Sequence, residues 1–299
     1  MGESPPHFLY GSRFVRLLSG MIPSDRQSDS RSNTGVSGAD FVPKLAQLFH
    51  FSGAVNLAKA LDNPVKSGFS PGGTSAETLR ESVLSRQNDL VRFIAKSFVT
   101  ASAGREDRLP GPESLHQHLT VNGVFTPGAK NQSNPYPTVY EPYRKFYISR
   151  QRFLESGVQR LRADIRDGIA ELTPALAGLA RIDQALGDSL ASAPRDILAS
   201  VPNLLAQRFY GLIDDHWHEL PDNPAPEDLK PWMAAGGWID TFCREMRDVL
   251  FAELDIRLQP VFGMIEALPE PADVPAQETA QQSDQGSQHS RDACHSGAR

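Results

Sequence analysis

Two apolar ribbons constrain this chain more than any other feature. Between Glu141 and Leu172, the residues Tyr147, Leu154, Val158, Leu161, Ile165 and Leu172 recur at three- and four-residue steps, with Arg, Asp and Glu between them. A second ribbon starts at Trp238, runs through Phe242, Met246, Leu250, Leu254, Leu258, Val261, Ile265 and Leu268, and stops at Pro269. A strand turns successive side chains to opposite faces, so only a helix gathers each set on one side. Each stripe must then be covered, because burial is worth about 25 cal/mol per Å2 of apolar surface. The cover is either the other stripe or another polypeptide. The expected fold is all-α, with long amphipathic helices in a bundle or coiled-coil-like hairpin and disordered N- and C-terminal segments. Leu154, Val158, Leu161 and Ile165 on the first ribbon, with Phe242, Met246, Leu250, Leu254 and Leu258 on the second, form the candidate interaction seam.

The rest of the chain divides around these ribbons into five stretches. Residues 1–38 are expected to be mostly disordered, apart from an amphipathic piece at Ser12 to Met21. Ser24 to Gly38 has almost no apolar residue with which to offset the entropy of ordering. Residues 39–102 should form a small helical region. One helix opens at Asp40 and carries Leu45, Leu48 and Phe49. Another, from Ser75 to Ala101, carries Leu79, Val83, Leu90, Ile94 and Phe98, with Thr74 and Glu77 spaced as a capping box. Residues 103–140 are rich in Pro, Gly and Asn and are expected to be a loop-rich linker. Its one strand signal is a hairpin around Asn122-Gly123, within Leu119 to Phe125.

The main helical domain is expected over 141–268. Thr173-Pro174 supplies a capping hydroxyl and a first-turn proline, so the first ribbon helix should fold back as a hairpin onto a helix carrying Leu176, Leu179, Ile182, Leu186 and Leu190. From Pro194 a further helix carries Leu198, Val201, Leu205, Phe209 and Leu212, with bends expected at Pro202 and, in the last ribbon, at Pro260. The ribbons differ in sign, with seven basic and five acidic residues in 141–172 against three and six in 240–268. That difference favours adjacent or antiparallel packing of the two, although exposed pairs each contribute under about 1 kcal/mol. Residues 269–299 are expected to be a disordered tail.

Charge and cysteine content narrow the function classes. The formal net charge of -6 offers no global attraction to nucleic acid or to anionic membrane. With two cysteines, Cys243 and Cys294, far apart in sequence, no disulfide framework can be read. Phe14 to Ile22 is interrupted by Arg16 and is too short to span a bilayer. The expectation is a cytoplasmic protein with no direct membrane insertion.

No motif specifies a chemistry. Gly68-Phe69-Ser70-Pro71-Gly72 matches the Gly-X-Ser-X-Gly of a hydrolase elbow, but no apolar strand precedes it, and Pro71 has no N–H to offer an oxyanion. His116 with His118 and His216 with His218 are two apart, a spacing that faces opposite sides of a helix, and read as surface residues rather than metal ligands. Arg144, Lys145, Arg150 and Arg152 interleave with aromatics as a candidate anion-binding face, for which a solvated helix surface is the simpler account. The reading is thus a protein without catalytic residues, cofactor or metal. It would be an interaction or scaffold protein that binds a protein partner or itself. Nucleic-acid binding through the four basic residues and an enzyme of unrecognised type are the alternatives.

Three segments resemble a proteobacterial family known as domain of unknown function 3348: Ser12-Arg13-Phe14-Val15-Arg16-Leu17-Leu18, Tyr143-Arg144-Lys145-Phe146-Tyr147, and Leu254-Asp255-Ile256-Arg257-Leu258-Gln259-Pro260-Val261 continuing to Leu268. The resemblance covers most of residues 12 to 268 and brings no catalytic residues. What it implies is context: such proteins are often encoded beside a peptidoglycan-binding protein and a membrane protein akin to ion-driven motor subunits. A cytoplasmic accessory of an envelope motor-like complex, with a membrane-protein partner, is therefore the expectation it adds.

Overall fold

A computed structural model describes residues 13–21, 72–99, 109–125, 134–190, 192–221 and 223–270. Among them are eight α-helices and no strand. The expected helix at Asp40, the linker over 24–38, Ser70 and the tail beyond Glu270 lie outside the described residues. In chain order the helices are α1 (Arg13–Met21), α2 (Ala76–Ser97), α3 (Pro112–Val121), α4 (Tyr136–Ala170), α5 (Pro174–Leu190), α6 (Ser192–Trp217), the single turn α7 (Lys230–Met233) and α8 (Trp238–Glu266). No helix among the described residues is long and apolar enough to cross a membrane.

The two ribbons are α4 and α8, and they cover one another. All nine seam residues are at most 5% exposed, inside a single cluster of buried side chains. The alternative cover, a second polypeptide, is not needed for these stripes. Paired residues give the helix directions. Tyr143 meets Phe242 and Tyr147 meets Glu253, so α4 and α8 run the same way. Gly168 faces Leu79 and Gly157 faces Leu90, so α2 runs against α4. At both glycines a Cβ would stand under 3 Å from the leucine, so the missing side chains are what let α2 approach. α6 is antiparallel to both ribbons, with Phe209 against Phe242 and Leu198 beside Gln151.

Local chemistry explains several helix limits. Ser75 caps α2 by accepting the Thr78 N–H at 3.1 Å, so the cap stands one residue later than the expected Thr74 box. Thr173 caps α5 as expected, accepting the Leu176 N–H at 3.2 Å. The predicted fold-back of α5 onto α4 is present and is fastened by Asp183, which accepts from Arg162 at 2.7 Å and lies 3.5 Å from Arg166.

Two expectations fail. The Leu119–Phe125 hairpin is instead the end of α3 and the turn after it, and within α3 Leu115 and Leu119 are fully buried one helical turn apart. Pro112 starts that helix and Gly123, at φ +71°, turns the chain out of it. β-propensity lost here to packing: Leu119 buries beside Leu115 at helical spacing, and Val121 is left 79% exposed. The first ribbon also begins earlier, at Tyr136, and passes through Pro142. The linker stretch 103–140 thus contains α3 and the opening of α4.

Two prolines inside these helices, Pro142 and Pro202, are accommodated by side chains from other helices. A proline at position i withdraws the N–H owed to the carbonyl at i−4. Pro202 in α6 strands the Leu198 carbonyl, which accepts instead from the Gln151 side chain of α4 at 2.9 Å. Pro142 strands the carbonyl of Thr138, which pairs with His118 of α3 at 3.1 Å.

Candidate functional site

The most concentrated chemistry in the core is a polar cluster where α4, α6 and α8 meet. Glu253 of α8 is fully buried. Its Oε1 accepts from the Tyr147 hydroxyl and, at 2.8 Å, from the Gln151 amide. The second N–H of that amide reaches the Leu198 carbonyl. Arg257, one turn along α8 and largely covered, places its guanidinium 3.6 Å from Oε2. Burial pushes the Glu253 carboxyl above its ordinary value, while bonds from Tyr147, Arg257 and Gln151 pull the other way. Burial likewise drives the Tyr147 hydroxyl well up, with the Glu253 charge adding to it.

A carboxylate, a phenol, an amide and a guanidinium together could do acid–base work if a substrate reached them. Glu253 and Tyr147 have no exposed surface. What the arrangement does is bond one oxygen of a buried carboxyl, leave Oε2 with only the Arg257 guanidinium 3.6 Å away, and pin three helices in register. Sequence reading missed this cluster. Its one signal was polar residues sitting on apolar stripes: Gln151 lies one turn from both Tyr147 and Leu154, and Glu253 lies between Leu250 and Leu254.

The basic residues of α4 do not converge. Arg144 and Lys145 both pair with Glu141, at 3.6 and 3.7 Å, and Arg152 is exposed further along. Arg150 turns to another side, where its guanidinium lies 4.5 Å from the Phe146 ring centre and 5.5 Å from that of Phe93. Phe93 in turn stacks on Phe153 at 3.8 Å, with the planes 20° apart. Phe153 remains 43% exposed although it is a large aromatic. The product is a ledge along α2 and α4 in which exposed Phe153 lies on half-buried Phe93, beside the Arg150 guanidinium held against Phe146.

Three of the four described histidines are engaged separately, and His218 is exposed. His116 pairs with the Pro224 carbonyl at 2.9 Å and His118 with Thr138, so each pins α3 to a different part of the chain. His216 stacks on Trp238 and lies 3.3 Å from Glu219. Among the described residues no three His, Cys, Asp or Glu side chains gather in a manner that would hold a metal.

These features define an all-α protein whose conspicuous polar chemistry, among the described residues, lies inside the core, and whose one strongly exposed aromatic among them is Phe153 on the ledge. The chain belongs to the family described as Protein of unknown function (DUF3348), whose model matches residues 3–270. No curated protein and no solved structure matches it.

Proposed function

We propose that this chain is a non-enzymatic interaction protein that engages a protein partner through the ledge formed by Phe93, Phe153 and Arg150. The observation that carries this reading is Phe153, an aromatic left 43% exposed yet held against Phe93 at 3.8 Å. Rigid aromatics and arginine dominate binding energy at protein interfaces, since they offer large contact area at small entropic cost. A ring already fixed by stacking loses little further freedom on binding. The seam expected to bind a partner is consumed in the core, so the interface moves to this outer surface. The resemblance noted above adds an envelope membrane complex as the place to look, with the protein on the cytoplasmic side.

The test is affinity purification of the full chain from its native host, followed by mass spectrometry, with wild type and Phe153→Asp side by side. The expected result is at least one protein recovered with wild type and lost with the variant, while circular dichroism and Tm show the variant folded. An identical set of proteins from both would remove the ledge as the interface. Oligomerisation lost in the variant would name the chain itself as the partner.

A further inference from the structure

A cleft of about 320 Å3 opens where the first turns of α8 meet α7, the end of α2 and the start of α3. That is near the lower end of the roughly 300–1,000 Å3 of small-molecule sites. Its lining divides by chemistry. Phe98, Leu109 and Ile239 give an apolar floor together with Cys243, whose thiol burial pushes up to about 12 and so keeps neutral. Lys230, Arg244 and Arg247 line it with three positive charges, against the single carboxylate of Asp240.

The helix explains the arrangement. Ile239 and Cys243 are one turn apart on one side of α8, while Asp240, Arg244 and Arg247 follow at i, i+4 and i+7 on the adjacent side. The cations are not committed. Arg244 lies 3.0 Å from Asp240, Arg247 3.8 Å from Asp248 and Lys230 3.5 Å from Glu227, and all six side chains are at least 32% exposed. Pairs of that kind contribute about 0–1 kcal/mol and exchange readily for a better anion. The N-cap of α8 is Gly237, which has no side chain to spend on the first-turn N–H groups, so the positive end of a 29-residue helix adds to the same field. Three cations alone would suit inorganic phosphate; the apolar floor would then stay unfilled.

We propose that this cleft binds a small amphiphilic anion, a carboxylate, sulfonate or phosphate carried on an apolar body, with Arg244 and Arg247 on the acid and Phe98 and Ile239 against the body. The site is separate from the ledge and stands whether or not the ledge binds a protein. Phe98 meets Phe146 edge-on at 5.2 Å, so the cleft lies next to the ring beneath the ledge without sharing its residues.

Fluorescence titration of the full chain with anilinonaphthalene sulfonate tests this, alongside its uncharged counterpart phenylnaphthylamine and inorganic phosphate as competitor. Saturable single-site binding of the sulfonate is expected. The Arg244→Glu/Arg247→Glu variant should weaken it by about tenfold or more, the scale of losing two charge-assisted contacts. Asp240→Asn should tighten it, and Ile239→Trp should abolish it by filling the floor. Both charge reversals and Asp240→Asn sit on exposed or half-exposed positions, and unchanged thermal unfolding certifies them as folded. Equal affinity for phenylnaphthylamine would overturn the anionic half of the proposal. Displacement by phosphate at concentrations matching the sulfonate would overturn the apolar half, and affinity unmoved by the double reversal would overturn the site.

Discussion

The imidazole of His118 bridges from α3 to the carbonyl of Thr138, 3.1 Å away, the acceptor that Pro142 leaves without its helical N–H. A carbonyl can only accept, so Nε2 carries the proton and Nδ1 is free to accept from Asn122 at 3.4 Å. A double-mutant cycle follows from the geometry. His118→Ala should cost about 1 kcal/mol in urea unfolding, the usual net value of such a bond. In a Pro142→Ala background the alanine N–H serves Thr138, and the same change should cost clearly less. Equal cost in both backgrounds would sever the link between the two residues.

Glu253 should leave a mark on the pH dependence of stability. Its folded carboxyl titrates above the ordinary 4.5, with burial the leading cause. The folded state therefore binds the proton more tightly than the unfolded state does. The stability this supplies is fully present below the ordinary value and is lost as pH rises through the folded one. Glu253→Gln keeps an acceptor for Tyr147 and Gln151 and should flatten that decline. Glu253→Ala strands the Tyr147 hydroxyl and the Arg257 charge, and should cost about 3 kcal/mol at neutral pH. Chemical unfolding at several pH values distinguishes the two variants.

Two buried tyrosines should respond oppositely to loss of the hydroxyl. Tyr147 donates to Glu253, whereas the Tyr143 hydroxyl has no hydrogen-bond partner among the described residues. Tyr147→Phe should therefore destabilise by about 1–3 kcal/mol, and Tyr143→Phe should be neutral or stabilising by up to about 1 kcal/mol. A substantial loss in Tyr143→Phe, read as a drop in Tm, would contradict this pairing scheme.

The corner between α7 and α8 depends on Gly237. A Cβ there would lie 2.4 Å from the carbonyl oxygens of both Pro231 and Trp232, which are backbone and cannot step aside. Gly237→Ala should cost about 2 kcal/mol or more, since the turn must open to admit it. Gly236 has open space but sits at φ +85°, so Gly236→Ala should cost a smaller amount, about 1–2 kcal/mol, from backbone strain alone. Thermal unfolding should rank the two in that order.

Much of this fold is legible in the sequence, for a physical reason. Which face of a helix is apolar depends only on residues within a few turns of one another, so the stripes carrying Leu154 to Ile165 and Phe242 to Leu258 declare themselves locally. Caps are equally local, which is why Thr173 was readable and why the start of α2 was missed by one residue. The hairpin at Asn122-Gly123 was misread because the sequence there satisfies two local grammars, and packing of Leu115 and Leu119 into the core decides between them. The ledge was not foreseen, although Phe153 was the hint, an aromatic set off the apolar stripe of its own helix.

Taken alone, the sequence determined that two long helices must hide their apolar stripes, because that requirement is written at a spacing of three and four residues. The tertiary structure decided what hides them: each other, running in the same direction, with α2 and α6 opposed to both. It also brought Gln151 to Glu253 across 102 residues of chain and set Arg150 between Phe93 and Phe146. Contacts of that kind depend on where whole helices come to rest, and helix periodicity says nothing about the path the chain takes between them.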